Sequence, residues 1–149
     1  MEFLLGILKS ITDSLRKISV ISRKKINRLI NNLHQQEFIF FSKGDDIATL
    51  NKVMIYVQEN EITRKIKIVT VLREHEPAPE QFLKDFDVLD RAYPYIKMEY
   101  ITLIDSFGPD LIERLSNEWK IPKNFMFISS PGEKFSYRVE ELGGVRLIL

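Results

Sequence analysis

The stretch Phe38-Ile39-Phe40-Phe41-Ser42-Lys43-Gly44-Asp45-Asp46, together with the residues after it as far as Leu72, decides the fold. Glu37–Phe41 is nearly all apolar, as suits a strand covered on both faces. The chain then breaks into a polar turn, Ser42–Asp46. From Ile47 to about Glu59 the apolar residues Ile47, Leu50, Met54 and Val57 recur at helical spacing, with Lys52, Gln58 and Glu59 on the water side. Lys65-Ile66-Lys67-Ile68-Val69-Thr70-Val71-Leu72 reads as a second strand, with Ile66, Ile68 and Thr70 on one face and Val69 and Val71 on the other. Strand, helix and strand in this order form a βαβ unit, which implies a parallel sheet and a right-handed crossover. The polar turn then lies at the carboxyl end of a strand, where open α/β sheets place ligands.

Outward from this unit the alternation continues. Pro79 suits a first helical position, and Phe82, Leu83, Phe86, Leu89 and Tyr93 supply an apolar stripe that Pro94 ends. Ile96–Ile104 is a third strand; its alternation gives way to an apolar run, which predicts an exposed beginning and a buried end. Pro109 opens the next helix, Leu111, Ile112, Leu115 and Trp119 make its stripe, and Pro122 stops it. Phe125–Ile128 is a fourth strand, with the turn Ser129-Ser130-Pro131-Gly132 after it. A short helix around Arg138–Leu142, closed by Gly143-Gly144, leads to the last strand, Val145–Leu149. The expected fold class is α/β: a five-stranded, mostly parallel open sheet with helices on both faces.

Charge divides the chain into a basic arm, residues 1–35, and a body, residues 36–149. The overall charge is only +1. The arm holds Lys9, Arg16, Lys17, Arg23, Lys24, Lys25 and Arg28 against Glu2 and Asp13, a net of +5, which leaves the body at −4. Ile7, Ile11, Leu15 and Ile18, then Ile26, Leu29, Ile30 and Leu33, recur at three- and four-residue spacing, so the arm reads as a basic amphipathic helix. Two uses suit such a helix. Its basic residues can face an anionic membrane surface, or its apolar stripe can dock on its own domain or on a second copy. Phe3–Leu8 is far too short to span a bilayer, and Lys9 interrupts it. The flanking charge and cleavage site of a secretory signal are missing. If the chain continues from a transmembrane helix, the basic cluster is the cytoplasmic flank that the positive-inside rule requires.

Composition narrows the chemistry. With no cysteine and only His34 and His75, thiolate or His-rich metal sites and histidine-centred triads are disfavoured. Asp85, Asp87 and Asp90 do not converge on a metal and read as a solvated face. Trp119 and Tyr93, at helical spacing, read as core. An acidic body repels phosphate, which argues against nucleic acid. The two strand-end turns remain as candidate ligand sites: Ser42, Lys43, Gly44 and Asp45 at the first, Ser129, Ser130 and Gly132 at the second. Helix capping by Asp45 or Asp46 and plain Pro-Gly turn chemistry are the competing explanations. Neither turn carries a P-loop or dinucleotide glycine pattern. No catalytic residue, metal or cofactor is expected.

The element order and the turn Lys43-Gly44-Asp45 resemble the universal stress protein fold. In the nucleotide-binding members of that family the fourth strand leads into G-x-x-G, nine residues and G-[ST]. Here Phe135 stands three residues after Gly132, and Gly143-Gly144 is not followed by Ser or Thr. The similarity thus extends to the fold and stops short of the ATP cradle. Residues 38–149 more closely resemble the C-terminal cytoplasmic domain of bacterial amino acid permeases of the amino acid–polyamine–organocation superfamily. The matching stretches are Thr49–Glu61, Leu89-Asp90-Arg91-Ala92-Tyr93-Pro94, Phe107-Gly108-Pro109, Ile121–Ile128 and Leu142-Gly143-Gly144-Val145-Arg146. The resemblance implies a regulatory or assembly role on the cytoplasmic side of the cell membrane, beside a transporter whose membrane part would be encoded upstream. It carries over no catalytic residue. By analogy with universal stress domains, Val145–Leu149 is the expected homodimer edge.

Overall fold

A computed structural model describes residues 2–43, 46–129 and 137–148. The first strand, β1 (Glu37–Ser42), is almost wholly buried, and this burial places it at the centre of the sheet. It pairs in parallel with β2 (Lys65–Leu72) on one side and with β4 (Met126–Ser129) on the other. Outside these lie β3 (Lys97–Ile104) and β5 (Arg146–Ile148), giving the order β3-β2-β1-β4-β5 with every pair parallel. The winding reverses between β1 and β4, which makes that gap the topological switch point of a doubly wound sheet.

Before the sheet comes α1 (Glu2–Gln35), and within the body come α2 (Ile47–Asn60), α3 (Glu80–Ala92) and α4 (Pro109–Trp119). The chain divides into two compact units, residues 1–34 and 35–149. All described side chains along α1 are exposed.

Strand alternation sorts the core into two layers. Phe38, Phe40, Ile66, Ile68, Met98 and Phe127 meet α2 and α3 through Leu50, Val53, Met54, Val57, Phe82 and Leu89. Ile39, Phe41, Val69, Met126 and Ile128 meet α4 through Leu111, Ile112 and Leu115. Burying each such side chain stabilises the fold by about 1.5–3 kcal/mol. In the first layer Phe38 and Phe127 stand edge to face at 5.1 Å. The Arg146 guanidinium lies 4.3 Å from the Phe127 ring centre and pairs with Glu61 at 2.9 Å, which ties β5 to the end of α2.

Several expectations change. The end of β3 is exposed, not buried, and Ile104 is 72 % exposed. The strand is outermost in the sheet; Phe82 and Phe86 of α3 reach only as far as Tyr100. Val53 replaces Ile47 in the buried stripe of α2, because Ile47 is the first helical residue and sits at the rim. Pro79 is the residue before α3 rather than its first, and Leu83 faces water. The last helix is a single 3-10 turn, Val139–Leu142, closed by Gly143 and Gly144 at positive φ. Trp119, at the end of α4, is half-buried, with the Lys67 ammonium 5.8 Å from its ring centre.

Candidate functional site

The carboxyl ends of β1 and β4, where the two turns singled out in the sequence begin, are neighbours in the sheet. Phe41 is in register with Ile128, so one step further Ser42 stands beside Ser129. Each lies two positions beyond a residue that faces α2, Phe40 and Phe127 respectively, and therefore both point to the same side. Ser42 is buried. Lys43, the next residue, is exposed. Gly44, Asp45, Ser130 and Gly132 lie outside the described residues.

The row of hydroxyls is longer than the sequence suggested. Ser42 is in register with Thr70 of β2, and Thr70 with Thr102 of β3. Four neighbouring strands thus carry Thr102, Thr70, Ser42 and Ser129 at one level on one face, Ser42 and Ser129 closing β1 and β4 and the threonines lying two residues before the ends of β3 and β2. Thr70 is buried, and its Oγ1 has no hydrogen-bond partner among the described residues. Hydroxyls both donate and accept, so this row can meet a neutral polar group as readily as an anion. Of the two threonines that extend the row, only Thr70 carries a sequence signal, as the polar member of an otherwise apolar strand face.

Electrostatics at the adjoining helix starts disfavour a phosphate. The Thr49 N–H donates to Asp46 Oδ1 at 2.8 Å, so a carboxylate already occupies the first turn of α2. That hydrogen bond holds the Asp46 carboxyl below its usual range and keeps it ionised. At α4 the first residue is Pro109, which has no N–H to offer, and Asp110 adds negative charge to the first turn. The Tyr137 hydroxyl closes over Gly108, where an added Cβ would lie 3.1 Å from it. Asp105, just before, is paired with Arg114, whose hydrogen bond lowers its pKa together with the Ser106 N–H. Among the described residues no three His, Cys, Asp or Glu side chains gather as a metal site.

Compared with known proteins, the chain matches no family model, no curated protein and no solved structure.

The predicted membrane-facing residues all lie on α1. Lys9, Arg16, Lys17, Arg23, Lys24, Lys25 and Arg28 are exposed, and so are Leu4, Leu8, Ile11, Leu15, Ile18, Ile26 and Leu29. No helix of the described residues is long and apolar enough to cross a membrane. Asp87 and Asp90 are exposed and Asp85 accepts from Gln81 at 3.0 Å, so these aspartates do not converge. β5, where the homodimer edge is expected, forms one edge of the sheet; an edge permits pairing and does not by itself establish it.

Proposed function

We propose that the chain is a non-enzymatic regulatory or assembly domain at the cytosolic face of the cell membrane, beside an amino acid permease-type transporter. The observation that carries this is the order of its parts: a 34-residue basic amphipathic helix, one residue (Gln36), and then a doubly wound α/β body. A cytosolic domain that comes after a membrane part has this order, with positive charge on the side the positive-inside rule assigns. The resemblance of residues 38–149 to permease C-terminal domains supplies the transporter class. Pairing of two copies along β5 fits an assembly role.

Photo-crosslinking tests this directly. Tyr95, 84 % exposed just before β3, is replaced by a photoreactive amino acid in the full chain, expressed in cells that naturally carry it. The expected product is a crosslink to a multi-span transporter, identified by mass spectrometry. Crosslinks confined to soluble proteins would overturn the proposal.

One observation favours a second function, binding of a small ligand such as a nucleotide: the carboxyl ends of β1 and β4, at Ser42 and Ser129, lie side by side at the switch point. Asp46 weighs against the phosphates of such a ligand. Titration calorimetry with ATP and AMP decides, and no heat at millimolar nucleotide removes this alternative.

A further inference from the structure

We propose that α1 lies in the plane of an anionic lipid surface, with its apolar stripe at the acyl boundary and its basic rows among the headgroups. This takes from the function proposed above only the place where lipid is met; the grounds are in the helix itself.

At about 100° per residue, Leu4, Leu8, Ile11, Leu15, Ile18, Ile26 and Leu29 fall along one line of the helix. Leu5, Ile7, Ile21 and Ile30 widen that line into a stripe of roughly 200°. The basic residues border it on both sides. Lys9, Arg16 and Arg23, spaced by seven, form one row. Lys17, Lys24 and Arg28 form the other. Between the two rows, opposite the stripe, stands Asp13. Lys25 falls within the stripe, at the angle of Ile7, and its long stem can run along apolar surface to lift its ammonium to the headgroups.

Three other arrangements fit less well. A spanning helix needs about 20 consecutive apolar residues, and charges recur along α1 from Lys9 onward. A coiled-coil pair needs a narrow seam at heptad positions. Continuing the heptad from Leu4, Leu8, Ile11, Leu15 and Ile18 reaches Ser22 and Lys25 in succession, so the seam fails where the wider stripe continues through Ile21 and Ile26. An acidic protein surface would match the charge but leave a stripe of this breadth in water. A lipid interface covers the stripe and neutralises both rows at once.

The test is flotation of the full chain with phosphatidylcholine vesicles, with and without phosphatidylserine. Binding is expected only with phosphatidylserine and should be lost at about 1 M salt, where charges are screened within about 3 Å. Each basic residue near the surface contributes roughly a fivefold gain in binding, so R23E/K24E/K25E/R28E should weaken it by more than about a hundredfold. I11S/L15S/I18S should also release the chain, by removing the stripe. Both variants should keep the thermal transition of the body, whose buried core lies between Phe38 and Ile148. Undiminished flotation of the charge-reversed variant overturns the proposal, and so does equal binding to neutral vesicles. Absence of flotation, with a dimer in sedimentation that the serine variant dissolves, would assign the stripe to a second copy instead. If flotation fails while Tyr95 still crosslinks to a transporter, only the lipid-binding role of α1 falls. If flotation holds without such crosslinks, the transporter function falls and α1 remains a lipid-binding helix.

Discussion

At Asp46 one carboxylate satisfies a free N–H of α2 and places negative charge where a ligand phosphate would sit. Asp46→Ala leaves the Thr49 N–H uncapped and should lower the melting temperature by about 2–4 °C. Asp46→Asn keeps a capping oxygen and should lose less. The two variants also separate in pH. The Asp46 pKa is depressed below the usual 3.8 in the folded chain, so its contribution is present above that value and is lost as pH falls through the folded pKa. Acid melts from about pH 5 to below 3 should therefore be shallower for Asp46→Asn than for the parent. Thr70 makes the opposite kind of prediction. Its buried Oγ1 has no partner among the described residues, and such a group costs about 1–3 kcal/mol. Thr70→Val, nearly the same shape, should hold or raise stability in urea melts. A clear loss would mean that the hydroxyl is engaged by a bound molecule.

The strands are joined by more than their backbone ladder. Lys67 of β2 pairs with Glu99 of β3 at 2.6 Å and with Glu37 of β1 at 3.2 Å, with its own side chain only 15 % exposed. Burial pulls the Lys67 pKa down, but hydrogen bonds from the ammonium to Glu99 and Glu37 outweigh it and leave the value above the usual 10.5. A raised lysine pKa gives stability that is complete below the unfolded value and is lost as pH rises through the folded one. Lys67→Met should therefore flatten the alkaline limb of the stability curve. A double-mutant cycle with Glu99→Gln should return a coupling of about 0.5–1 kcal/mol, because Glu99 is largely solvated. None of this was visible in the sequence, because the pairing of Lys67 with Glu99 needs the register of two strands 32 residues apart. The elements themselves were legible, because apolar spacing, proline stops and the Gly143-Gly144 close are local signals. The end of β3 was misread for the converse reason. Thr102 and Ile104 look like core residues, and only the strand order reveals that they stand at an edge beyond the reach of α3.

At the scale of the molecule, charge proved as informative as hydrophobicity. The Lys and Arg excess of the arm falls within the unit 1–34, and the acidic balance falls in the unit 35–149. The placing of Ser42 and Ser129 side by side at the switch point could be anticipated from two strand-end turns. Their alignment with Thr70 and Thr102 could not, since single hydroxyls in separate strands carry no common signal until register is known. The same division yields the last prediction. All residues of the buried core among those described lie between Phe38 and Ile148, so the body contains its own hydrophobic stabilisation. Residues 36–149 alone should then unfold in one cooperative transition within about 2–4 °C of the full chain, equivalent to less than roughly 1 kcal/mol. Differential scanning calorimetry of the two chains measures this. A much larger drop, or a broad transition in the shortened chain, would mean that α1 contributes to the stability of the body and that the apolar stripe has a protein partner within its own chain.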